Sequence, residues 1–123
     1  LKIIHTLLES NTKLIAHPES LQDPWKMAKI NQISALLDGA LRAENMVGLK
    51  MNVAEDNLDP VVAELPSITS PTVAKLYKSD WFSVETVVAE RVVREIIPRL
   101  LRLGAQGIVE YPLNKLVSSK DAD

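Results

Sequence analysis

At 123 residues the chain is one domain long and can bury a single modest core. Its 46% hydrophobic and 24% charged residues describe a folded globular protein rather than a disordered tail. Lys plus Arg number 14 against 16 Asp plus Glu, so no charge excess argues for a nucleic acid or a membrane surface as partner, and the absence of cysteine excludes disulfides, thiolate metal sites and a cysteine nucleophile.

Residues 1–8 lack the basic-then-apolar layout of a signal peptide, and no apolar run approaches the roughly 20 residues that span a bilayer. The sequence starts at Leu1 without an initiator methionine, which reads as a fragment or a processed product. Leu7-Leu8 and Leu14-Ile15-Ala16 flank a polar stretch, so strand, turn, strand is the simplest expectation over 1–17. After the polar break at 17–22, Asp23-Pro24 is a helix start: the carboxylate accepts from first-turn N–H groups, and proline at the first position wastes no donor. Met27, Ile30, Ile33, Leu37 and Leu41 repeat at three- and four-residue steps and predict an amphipathic helix over about 24–43.

The period then changes to two. Val47, Leu49, Met51 and Val53 alternate with Met46, Gly48, Lys50 and Asn52, the rhythm of a strand. Residues 54–66 read as a short helix, with Asp59-Pro60 resembling a second cap-then-proline start, and 67–71 as a loop. Strands at about 72–77 and 81–88 are joined by the turn Lys78-Ser79-Asp80 as a hairpin. Val93, Ile96, Ile97, Leu100 and Leu103 share one face of a helix over 90–103, which runs through Pro98 and ends at Gly104 in a left-handed cap. Residues 108–113 form a last strand, and 118–123 a polar tail expected to be mobile. From residue 46 the order is strand–helix–strand–strand–helix–strand, which predicts an α+β, ferredoxin-like βαββαβ sandwich with a preceding helix. Its sheet has one face covered by both helices and the other left to solvent or to another subunit.

Catalytic chemistry is hard to assemble. His5 and His17 have no partner at metal-ligand spacing, no Gly-x-Ser-x-Gly elbow surrounds a serine, and the four glycines are too scattered for a phosphate-cradling loop. Gly104-Ala105-Gln106-Gly107 is a GxxG of very weak specificity, which a helix cap followed by a close strand contact explains about as well as a ligand would. Glu90, Arg91, Arg94, Glu95, Arg99 and Arg102 read as a solvated helix face with pairs such as Glu90–Arg94 and Glu95–Arg99. Trp25 and Trp81 read as packed or partly exposed indoles. Ser70-Pro71-Thr72 is the most informative polar cluster: two hydroxyls at a proline-fixed bend suit a carboxylate, although a bare turn is the commoner meaning of such a sequence. The residues describe a domain that binds or assembles rather than one that catalyses.

Several segments in register resemble one family. Residues 7–16 (LLESNTKLIA) resemble the strand pair closing the catalytic core of ATP phosphoribosyltransferases, and 65–76 (LPSITSPTVAKL) the loop entering that family's second regulatory strand. Residues 80–84 (DWFSV) and 103–115 (LGAQGIVEYPLNK) continue the likeness, which covers 7–117. The resemblance implies the C-terminal regulatory domain of the long-form enzyme, which joins ATP to phosphoribosyl pyrophosphate in the first step of histidine biosynthesis and is inhibited by L-histidine. It divides the chain into a remnant of the catalytic domain's closing strands (1–20), a regulatory domain (21–117) and the tail (118–123). It places histidine contacts at Ile68, Ser70 and Thr72 on the loop, at Asn52 where some relatives carry aspartate, and at Val87 and Gly107 along the pocket. It implies no catalytic residue, metal ligand or cofactor in this segment, magnesium for the parent enzyme, self-association through the open sheet face as a hexamer, and a cytoplasmic location. The competing expectation is a ligand-free ferredoxin-like oligomerisation module.

Overall fold

A computed structural model describes residues 1–66 and 70–118. Helix α1 (Pro24–Ala43) opens as its cap predicts: the Asp23 carboxylate accepts from the N–H groups of Trp25 at 2.9 Å and Lys26 at 3.1 Å. Strand β1 (Met46–Ala54) follows, then a single 3-10 turn (Glu55–Asn57) leading into α2 (Leu58–Glu64). The helix therefore starts one residue ahead of Asp59-Pro60. Asn57 holds the cap position without a side-chain bond, and Pro60 falls within the first turn, where an N–H has no helical acceptor anyway. Strands β2 (Thr72–Lys75) and β3 (Trp81–Ala89) form the expected hairpin, closed by the Leu76 N–H donating to the Trp81 carbonyl at 2.8 Å, with Lys78 at φ 50° in the turn.

Helix α3 (Glu90–Arg102) runs through Pro98 because that residue lies on its exposed side, where the Arg94 carbonyl deprived of a donor can meet water. Gly104, at φ 90°, ends it. Its N–H donates to the Leu101 carbonyl and that of Ala105 to Leu100, the paired bonds of a Schellman cap. Strand β4 (Gln106–Pro112) begins two residues earlier than its apolar pattern suggests.

Among the described residues the four strands order as β2-β3-β1-β4, all neighbours antiparallel, which is the ferredoxin-like arrangement. Val47, Leu49, Met51 and Val53 of β1 and Val84 and Val88 of β3 point to the inner face, where Val61 and Leu65 and then Val93, Ile96 and Leu100 cover them. Arg99 ties α3 to α2 through Glu64 at 2.9 Å; Glu95, its expected partner, acts on it by charge alone.

Two expectations are corrected. Residues 1–17 form no strand pair: they have no regular secondary structure and are exposed throughout, because two short apolar runs with no sheet edge alongside have nothing to pair with. The stripe of α1 is not its packed side either. Ile33, Leu37 and Leu41 are exposed, and the helix is buried only at Gly39 and Ala43, where small residues let the end of the helix approach the rest of the chain.

Candidate functional site

The outer face of the sheet is set by register. Gly48 of β1 lies between Val87 of β3 and Tyr111 of β4, and the next outward row holds Thr72, Glu85, Lys50 and Val109. A side chain at position 48 would collide with Tyr111, since a Cβ built there meets the ring carbon Cζ at 2.1 Å. Glycine thus leaves a lane across β1 in which the Tyr111 ring lies over the backbone, and its hydroxyl donates a hydrogen bond to Oε1 of Glu85 two strands away. That bond, followed by burial and by the charge of Glu85, holds the Tyr111 hydroxyl above its ordinary pKa of 10.0.

Over this pair opens a groove of about 670 Å³, within the range of small-molecule sites. Its floor is Glu85, Thr86, Val87 and Tyr111, and one wall is Ser70 and Thr72 at the entry to β2. The other wall comes from Arg42 at the end of α1 and from Leu116, Val117 and Ser118 after β4. That wall is anchored by the Leu116 N–H donating to the Gly39 carbonyl at 2.8 Å, and the Val117 methyl stands 2.9 Å from where a Cβ of Gly39 would be. The chain therefore covers part of its own open sheet face.

Three of the residues expected to contact an effector, Ser70, Thr72 and Val87, line this groove. Asn52 and Gly107 do not. They form a separate pair farther along the outer face, beyond the register shift in β4, with the Asn52 amide nitrogen 3.8 Å from a Cβ position on Gly107, which sits at φ 58°. Ile68 lies outside the described residues. Arg42, Glu85 and Tyr111 escaped the sequence reading. The available signals were Gly48 within an alternating strand, which marks close approach of another group, and Glu85 as the one carboxylate in the apolar run 84–88.

Among the described residues the arrangement presents one guanidinium, one carboxylate, several hydroxyls and apolar walls, a surface suited to a small zwitterion. Among the described residues there is no group of three or more His, Cys, Asp or Glu that could hold a metal ion. Nor, among those residues, is any helix long and apolar enough to cross a membrane.

Residues 43–115 match the family described as HisG, C-terminal domain. Over 117 residues the chain is 56% identical to the ATP phosphoribosyltransferase of Desulfosudis oleivorans, 55% to that of Solidesulfovibrio magneticus and 54% to that of Desulforudis audaxviator. In each case the match takes in 95% of this chain and 40% of the relative.

Proposed function

The chain belongs to the HisG C-terminal domain family, and from that premise we propose that it is the effector-binding regulatory part of an ATP phosphoribosyltransferase, with L-histidine as the effector. The observation that carries this reading is the convergence of Ser70, Thr72 and Val87 on one groove, reached from the resemblance and from the geometry separately. The parent reaction, condensation of ATP with phosphoribosyl pyrophosphate, belongs to the portion of the relatives that this chain does not span, and magnesium serves that portion. Residues 1–20 are then a remnant of the catalytic domain, irregular in this chain up to the short 3-10 turn, the assembly is a cytoplasmic hexamer, and histidine shifts it between two arrangements. A coupling of about 1–3 kcal/mol suffices for such control.

Within the groove, the Ser70 and Thr72 hydroxyls suit a carboxylate, and Val87 with Leu116 offers apolar contact to an imidazole. Calorimetric titration of the 123-residue chain with L-histidine tests the reading. Saturable heat is expected, with affinity reduced about ten-fold or more by Thr72→Ala and less by Ser70→Ala. A second reading, a ligand-free oligomerisation module, is favoured by the exposed Ile33, Leu36, Leu37 and Leu41 of α1. Absence of heat and of any thermal shift at millimolar histidine, in a self-associated sample, would select it.

A further inference from the structure

We infer that Glu85, held by Tyr111, is the cation-recognising subsite of the groove and takes the α-ammonium of a free amino acid. The inference rests on the effector-binding reading and assigns it a residue to which neither the resemblance nor the comparisons point.

A zwitterion needs an anion at one end of its site and a cation or hydroxyl donors at the other. The groove supplies both: Arg42 and the hydroxyls of Ser70 and Thr72 on its walls, and the Glu85 carboxylate on its floor. An ionised carboxylate has about four lone-pair positions. The Tyr111 hydroxyl occupies one, on Oε1, and restrains the group, which lines the groove and keeps further acceptor capacity. Asn52, the candidate for this role from sequence, does not line the groove and carries no charge. Lys50, opposite Glu85 in register, is also outside the lining.

Tyr111 acts here as a positioning residue. Its ring reaches Glu85 only because Gly48 leaves the lane open, so three residues on three strands combine to orient one carboxylate. A preorganised acceptor loses little freedom when it binds, which is how a surface groove can discriminate for charge.

The test is the ratio of two dissociation constants measured by calorimetry on the 123-residue chain. One ligand is L-histidine; the other is 3-(imidazol-4-yl)propionate, which lacks only the ammonium. Wild type is expected to prefer histidine by about ten-fold or more, the worth of a charge-assisted hydrogen bond. Glu85→Gln keeps the shape and still accepts from Tyr111, and should bring the two constants to within about three-fold, through weaker histidine binding alone. Tyr111→Phe leaves the charge and removes its orientation, so histidine binding weakens by less than in Glu85→Gln while a preference survives. If Glu85→Gln binds histidine as wild type does, or weakens both ligands equally, the subsite is wrong while the effector reading stands. If wild type binds no histidine, both fall together.

Discussion

Two apolar stretches of this chain meet opposite fates. Leu49, on the inner face of β1, is 0% exposed, whereas Ile4 is 95% exposed. Hydropathy does not separate them, since residues 1–15 carry as many large aliphatic side chains as most strands do. What separates them is a complementary surface. Strand β1 is hydrogen-bonded on both edges, to β3 and β4, and its inner face meets α2 and α3. The N-terminal stretch has no strand edge or helix face beside it among the described residues. Burial is thus a property of the partners a segment has, and its pattern indicates only that partners are needed.

The most forceful way to break this contrast is truncation at its two ends. Leu49→Ala should cost about 2–5 kcal/mol, the lost transfer energy plus a cavity between sheet and helices. Ile4→Ala should stay within about 0.5 kcal/mol. Urea denaturation of the two variants checks both, and comparable losses would mean that the N-terminal stretch is packed in solution.

The outer face sharpens the contrast, because there a glycine decides what is covered. Gly48→Ala places a methyl within 2.1 Å of the Tyr111 ring, so the ring must leave its lane. A loss of about 1–3 kcal/mol is expected, together with a Tyr111 pKa returning toward its ordinary value. Absorbance titration reads this, with Tyr111→Phe giving the background to subtract. An unchanged titration curve would show that the ring is not seated over Gly48.

A smaller effect is expected from Tyr111→Phe, about 1 kcal/mol for the lost hydrogen bond, and its sign with pH is definite. The hydroxyl is raised above 10.0 in the folded state by its bond to Glu85, so the folded protein holds that proton more firmly than the unfolded chain. The stabilisation is complete below the unfolded pKa near 10 and disappears as pH rises through the folded value. Between wild type and Tyr111→Phe, the stability difference should therefore shrink on the alkaline side. A difference that grew there would contradict the assigned bond.

The legibility of the sequence follows the same division. Helix α1 and the C-terminal end of α3 were readable because their signals are local: Asp23-Pro24 caps one, and Gly104 at φ 90° terminates the other. The strand order followed from the alternation of elements, which leaves few topologies. One wall of the groove was readable too, since Ser70 and Thr72 advertise hydroxyls at a bend. Glu85 and Tyr111 were not, because they meet only through the registers of β3 with β1 and β1 with β4, and pairing across 26 residues leaves no local trace. Arg42 was hidden for a similar reason: it reaches the site only where the chain after β4 crosses α1 at Gly39. The strand pair expected over 1–17 failed on the reverse count, with a correct local pattern and no partner.

The smallest expected effect is also the most direct measure of that missing partner. Deleting residues 1–17 removes exposed apolar side chains and the His17 contacts that cap the short 3-10 turn Pro18–Leu21, all at the surface. The core made by β1, β3, α2 and α3 has no buried member in this stretch. Denaturation of the remaining chain should therefore keep its slope and shift by no more than about 0.5 kcal/mol. Concentration-dependent association should fall, since the residues removed include the exposed Leu1, Ile3, Ile4, Leu7, Leu8 and Ile15. A broader transition or a lower slope after deletion would instead place these residues in the cooperative unit, paired with a surface that the extended stretch does not reach here.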